Sequence, residues 1–126
     1  MTIVAGYVPT PLGEAVLGQA LAEAELRKAR LVVVNVSHPG AYVDPGTAPP
    51  AELQRRVGDG HEVRQPQDTD PAAALLDVAR QESAELIVIG VRRRSPVGKL
   101  LMGSTAQRVL LESDCPVLAV KDNDHR

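Results

Sequence analysis

The feature that most constrains the fold is a regular alternation of short apolar runs with helical patterns. Five runs are typical of β-strands, and they lie at residues 2–8, 31–36, 61–64, 85–90 and 116–121. Most are continuously apolar, as expected for strands that helices cover on both faces. Strands that alternate with helices predict a parallel sheet with right-handed crossovers. The sequence therefore predicts one α/β domain over residues 1–126, with a doubly wound, five-stranded parallel sheet.

The segments between these runs carry helix signals. Thr10-Pro11 and Asp70-Pro71 each pair a capping side chain with a proline suited to a first helical turn. A short helix near 50–57 is expected within a segment rich in Pro and Gly. Apolar residues at spacings of three and four predict the buried helix faces. These residues are Leu17, Ala20, Leu21 and Ala24, then Ala72, Leu75, Leu76 and Ala79, and finally Ala106, Val109 and Leu110.

Composition and charge limit the classes of function. The net charge of −2 gives no overall attraction to nucleic acid or to an acidic membrane surface. No apolar run has the length of a membrane span, and the first residues lack the basic leader of a signal peptide. We therefore expect a cytoplasmic protein that binds neither nucleic acid nor membranes.

The sequence offers no pattern typical of catalysis or metal binding. The single cysteine, Cys115, excludes an internal disulfide, and His38, His61 and His125 have no partner at metal-ligand or acid–base spacing. A phospho-accepting receiver domain is excluded as well. It needs acidic residues after the first strand, where this chain has "YVPTP", and an aspartate after the third, where it has "VRQPQ". No catalytic residue and no metal site are predicted.

The segment after the fourth run is the strongest candidate for a binding site. Residues 91–102 form a connection of twelve residues, where about 2–6 are usual. In doubly wound sheets, ligands bind beyond the carboxyl ends of the strands, here at 8–11 and at this connection. Gly103-Ser104-Thr105 then opens a helix, whose free N–H groups favour anions, and Arg92, Arg93, Arg94 and Lys99 add positive charge. The alternative interpretation is that solvated surface arginines precede an ordinary helix cap.

A specific resemblance rests on the spacing of these glycines. Gly90 and Gly103-Ser104 stand where nucleotide-binding members of the universal stress protein family carry the first and last parts of a motif. That motif reads Gly, two residues, Gly, nine residues, then Gly followed by Ser or Thr. Residues 115–121, "CPVLAVK", are similar to the family's final strand. The resemblance covers nearly the whole chain and implies the strand order 3-2-1-4-5.

The resemblance also implies a binding site for ATP, with Mg²⁺, at the carboxyl ends of strands 1 and 4. By residue-to-residue transfer, the adenosine contacts are Gly6, Tyr7, Val8 and Val36. The phosphate contacts are Gly90, Arg93, Gly103, Ser104 and Thr105. Two of these positions depart from the family's pattern, because Val8 stands in place of an aspartate and Arg93 in place of a glycine.

Two functions stay open at this point. One is a stress-response protein that binds an adenine nucleotide as a sensor or regulator, with at most slow ATP hydrolysis. The other is a dimeric interaction module of the same fold that binds no nucleotide. Gly90 and Gly103-Ser104 favour the first, whereas Val8 and Arg93 favour the second. A homodimer through residues 116–121 is expected in both cases, because an apolar edge strand is a template for pairing with another chain.

Overall fold

A computed structural model describes residues 1–36, 50–66, 70–91 and 103–121. Within these ranges lie five strands and four helices, in alternation after the first strand. In chain order they are β1 (Thr2–Tyr7), α1 (Pro11–Arg27), β2 (Arg30–Asn35), α2 (Pro50–Val57), β3 (Glu62–Arg64), α3 (Pro71–Gln81), β4 (Leu86–Val91), α4 (Ser104–Glu112) and β5 (Val117–Lys121). Each strand begins and ends within one residue of the predicted run.

All five strands belong to one parallel sheet with the order β3-β2-β1-β4-β5. The predicted fold class and strand order are therefore confirmed. β1 lies between β2 and β4, so the chain builds the sheet outward from β1 in two directions. This is the arrangement in which strand order reverses, and it opens a crevice at the carboxyl edge.

Two apolar cores lie on opposite faces of the sheet, because successive strand residues point to opposite sides. On one face, Ile3 and Ala5 pack with α1 and with Leu53 of α2. On the other, Val4 packs with α3 and with Val109 of α4. Burial on both faces explains why the strands read as continuous apolar runs.

The predicted buried helix faces are confirmed with two exceptions. Leu21 is only partly buried, and Leu110 is 41% exposed. α4 buries only Ala106 and Val109, because it contacts α3 and β4 along a narrow strip. Leu110, next along the helix, falls outside that strip, and its assignment to the core was wrong.

Among the described residues, no helix combines the length and the apolar character needed to cross a lipid bilayer.

The first turn of α1 packs directly on the end of β1. A Cβ atom placed on Gly13 would lie 1.7 Å from the carbonyl oxygen of Val8. Thr10 caps the same turn, since the Gly13 N–H donates to Thr10 Oγ1 at 3.0 Å. Glycine is therefore required at position 13 for a close approach between backbones.

We expect Gly13→Ala to lower the free energy of unfolding by about 2–3 kcal/mol or more, because α1 must move away from β1. Gly18 lies on the exposed side of the same helix with no atom near its missing Cβ. Gly18→Ala is thus a matched control that should raise stability by about 0.5–1 kcal/mol. Urea unfolding followed by circular dichroism measures both. Equal effects of the two substitutions would contradict the packing described.

A second prediction concerns the end of α1. Lys28 closes the helix in the left-handed conformation, with φ 55°, and its N–H donates to the Ala24 and Glu25 carbonyls. A residue with a Cβ is strained there, whereas glycine is not. We expect Lys28→Gly to raise the free energy of unfolding by about 0.5–1 kcal/mol, while Lys28→Ala brings no such gain. Thermal and urea unfolding of the two variants test this, and a less stable glycine variant would contradict it.

Candidate functional site

A cavity of about 290 Å³ lies at the carboxyl edge of the sheet. It is bounded by the ends of the strands and by the first turns of three helices. The strands and the residues that follow β1 and β2 contribute Gly6, Val8, Val36, Ile89 and Gly90. α1 and its cap contribute Thr10, Leu12, Gly13 and Val16, and α3, α4 and the cap of α4 contribute Pro71, Leu75, Gly103, Thr105 and Ala106. Its size is at the lower end of the range for small-molecule sites.

Two glycines let helices approach the strand ends closely and thereby shape the cavity walls. A Cβ on Gly90 would lie 2.8 Å from Leu12 Cγ, and a Cβ on Gly6 would lie 3.0 Å from Leu75 Cδ1. Leu12 belongs to α1 on one face of the sheet, and Leu75 to α3 on the other. The cavity therefore has an apolar wall on each side of the sheet edge.

The three helices that begin at the cavity differ in how their first N–H groups are used. Thr10 caps α1, and the Asp70 carboxylate caps α3 by accepting from the Ala72 and Ala73 N–H groups at 3.1 and 3.4 Å. α4 begins after Gly103, which has no side chain to cap it. Because Gly103, Thr105 and Ala106 line the cavity, the positive end of the α4 dipole lies beside it, an arrangement that favours a negative charge there.

An ion pair ties the starts of α3 and α4 together. Arg108, one turn into α4, donates to Asp70 Oδ2 at 2.6 Å. The Arg108 guanidinium holds the pKa of the Asp70 carboxyl below its usual range, so the carboxylate stays charged at neutral pH. This pair links the two helices beside the cavity.

A second polar cluster lies on the face of the sheet that α1 covers. The Tyr7 hydroxyl donates to the Glu14 carboxylate at 2.5 Å, and Arg56 of α2 also donates to Glu14. Burial, together with the neighbouring carboxylate, raises the pKa of Tyr7, while Arg56 lowers the pKa of Glu14. The phenol thus stays neutral and the carboxylate charged, and the cluster anchors α2 to α1.

The structure brings together six of the nine residues that the resemblance assigned to the site. Those that line the cavity are Gly6, Val8, Val36, Gly90, Gly103 and Thr105. The Tyr7 side chain instead donates to Glu14 of α1 and does not line the cavity. Ser104 is exposed and does not line the cavity. Arg93, with Arg92, Arg94 and Lys99, lies outside the described residues.

Several cavity residues were not singled out from the sequence as ligand contacts. Leu12, Leu75 and Ala106 belong to the first or second turn of the helices that start at the carboxyl edge. Their position in helices that follow strands could have indicated them, since helices that begin at the carboxyl edge have their first turns beside the crevice. No local sequence pattern indicated the Asp70–Arg108 pair, because the two residues are 38 positions apart.

No group of three His, Cys, Asp or Glu side chains in the described ranges could hold a metal ion.

Comparisons with known proteins agree on one family. A model of the universal stress protein family matches residues 51–121. A universal stress protein of Mycolicibacterium smegmatis is 44% identical over 125 residues, covering 94% of this chain and 96% of that protein. A universal stress protein of Thermus aquaticus is 34% identical over 135 residues, covering 95% and 98%.

Solved structures show the same likeness. The universal stress protein of Archaeoglobus fulgidus is 30% identical, with a TM-score of 0.73, and covers 96% of this chain and 98% of its own. A structure of the Archaeoglobus fulgidus protein in complex with dAMP is 27% identical, with a TM-score of 0.68 and the same coverage. With this fold, this sequence match and a crevice at the expected edge, the chain belongs to the universal stress protein family.

Proposed function

We propose that this stress-response protein binds an adenine nucleotide, ATP in particular, in the cavity at the carboxyl edge and acts as a sensor or regulator. The observation that carries the proposal is the start of α4, which lacks a side-chain cap at Gly103 and opens into the cavity. A phosphate group satisfies those N–H groups and complements the helix dipole. The rest of the nucleotide then lies against the apolar walls.

The proposed orientation follows from the distribution of polar and apolar groups. The phosphates lie at Gly103 and Thr105, beside the uncapped start of α4 and a residue that carries a hydroxyl. The flat base lies between the walls formed by Leu12 and Leu75, towards Val36. The relative from Archaeoglobus fulgidus that was solved with dAMP supports a nucleotide as the ligand.

Magnesium enters this proposal with the nucleotide rather than as a resident ion. The described residues that line the cavity include no carboxylate, histidine or thiol, so they do not fit a protein-held Mg²⁺ site. Oxygen atoms of the phosphates and water supply the ligands instead. The same lining offers no group that activates water, so we expect binding with at most slow hydrolysis.

The alternative of a dimeric interaction module is favoured by the outer surface of β5 and α4. β5 is the sheet edge, with Ala119 exposed, and Leu111 of the preceding helix is 79% exposed. An unpaired edge strand beside exposed leucine is suited to a second copy of the chain. We propose a homodimer through residues 116–121, which is compatible with nucleotide binding at the far side of β4.

Nucleotide binding is tested by calorimetric titration of ATP into the wild type and two variants. Thr105→Val keeps the shape of the side chain but removes a hydroxyl at the cavity, so it should weaken binding by about 0.5–1.5 kcal/mol. Ser104→Ala is the matched control, because Ser104 lies outside the lining and alanine keeps its N–H. We expect the control to bind like the wild type. Absence of binding to the wild type at millimolar ATP would contradict the proposal.

The homodimer is tested by light scattering at tens of micromolar protein. We expect the mass of two chains for the wild type and of one chain for Ala119→Lys, because a charge on the edge strand opposes pairing. Ala51→Lys places the same charge on exposed α2 and should leave the dimer intact. A wild type of monomeric mass, or dimers that persist in Ala119→Lys, would contradict pairing through β5.

A further inference from the structure

One backbone N–H at the start of β2 is bonded to an imidazole ring rather than to another strand. The Leu31 N–H donates to Nδ1 of His61 at 2.9 Å. Leu31 is fully buried, so this donor needs a partner within the protein. Both ring nitrogens of a charged imidazole carry protons, so only the neutral ring can accept a hydrogen bond. The bond therefore requires a neutral His61 with its proton on Nε2.

His61 lies directly before β3, at the edge of the sheet opposite the cavity. β3 pairs with β2 from Glu62 and Val32 onward, so the Leu31 N–H lies one position before the first pair. The imidazole supplies there the acceptor that a strand carbonyl supplies within a ladder. β3 has only three residues, and the bond from Leu31 is thus a large part of what holds it on β2.

The side chain of Gln54 joins α2 to the same turn and strand. Its amide nitrogen donates to the carbonyls of Gly58 and His61 at 3.1 and 2.8 Å, and its oxygen accepts from the Val63 N–H at 3.2 Å. Residues 50–64 are therefore one connected segment, the α2–β3 unit. A change in the hold of β3 on β2 acts on α2 as well.

The charged groups around His61 balance in number. Arg30 and Arg64 each pair with both Glu62 and Glu82. Lys28 precedes β2, and Asp59 lies in the turn before His61, so the local set has three cations and three anions. From α2, the side chain that bonds to this turn is the uncharged amide of Gln54. The hydrogen bond to Leu31 is therefore the interaction that protonation of His61 changes most directly.

The carboxylates that hold this region keep their charge as the pH falls towards 6. Arg64 holds the pKa of Glu82 below its usual range, and Arg56 of α2 does the same for the pKa of Glu14 on α1. Histidine, in contrast, ordinarily gains its proton near pH 6.5, about two units above a carboxylate. Of the three histidines, His61 is the one within the described ranges.

We propose that His61 makes the docking of the α2–β3 unit on β2 sensitive to pH. Protonation places an N–H against the Leu31 N–H, so the bond is lost and a buried donor has no acceptor. The undocked unit binds the proton and the docked unit does not, so docking weakens as the pH falls below about 6.5. Undocking exposes Leu53 and Val57, which lie in the core. The device lies apart from the cavity and is independent of the proposed nucleotide binding.

The test is amide hydrogen exchange, measured by NMR at about pH 7.5 and about pH 5.5 and expressed as protection factors. The lower value is about one unit below the ordinary pKa of histidine, so the protection of the Leu31 amide should fall by about tenfold. The Ile87 N–H, which donates to the Pro116 carbonyl at 3.1 Å between β4 and β5, is the internal control and should change little. A fall at Leu31 below about threefold, or an equal fall at Ile87, overturns the proposal.

Substitutions at position 61 test the assigned residue. In His61→Asn, the amide Oδ1 takes the place of Nδ1 and accepts at either pH, so the protection of Leu31 should become independent of pH. His61→Ala has no acceptor and should give low protection at both. His125→Asn is the matched control and should behave like the wild type. Circular dichroism shows whether each variant is folded, and the wild-type measurement decides if His61→Asn is not. A pH-dependent fall that persists in folded His61→Asn overturns the assignment.

Discussion

The site depends on one close contact, between the first turn of α1 and the carbonyl of Val8. Because Gly13 has no side chain, the helix reaches the end of β1 and stays within hydrogen-bonding distance of the Thr10 cap. This contact places Leu12 above Gly90 and so forms one wall of the cavity. It also covers the Val8 carbonyl, so a single glycine determines both the shape of the crevice and the burial of that carbonyl.

The electrostatics of the site arise from a difference in capping among the three helices that begin at the cavity. α1 and α3 use their own capping side chains, Thr10 and Asp70, and the charge of Asp70 is matched by Arg108. Only α4, of the helices that begin at the cavity, starts with a glycine. One end of the crevice therefore carries the positive end of a helix dipole, although no charged side chain of the described residues lines it.

The fold was predictable from sequence because continuous apolar runs and capped helices are local signals, and they agree along the chain. The site was predictable only in part. Gly6, Tyr7 and Val8 are consecutive, but only Gly6 and Val8 line the cavity, because the Tyr7 side chain between them turns to Glu14 of α1. Leu110 was misplaced because helical spacing gives the direction of an apolar face but not the width of its contact. Pairs such as Asp70–Arg108 depend on how separate helices meet, which no local pattern contains.

The bond between Tyr7 and Glu14 has a spectroscopic consequence. The chain has no Trp or Phe and two tyrosines, so Tyr7 and Tyr42 account for all of its aromatic absorbance. Tyr7 is buried and donates its proton to a carboxylate that Arg56 of α2 also binds. The Tyr7 contribution to the near-ultraviolet absorbance and fluorescence of the unlabelled protein therefore reports on whether α2 is docked against the sheet, beside the crevice at the carboxyl edge.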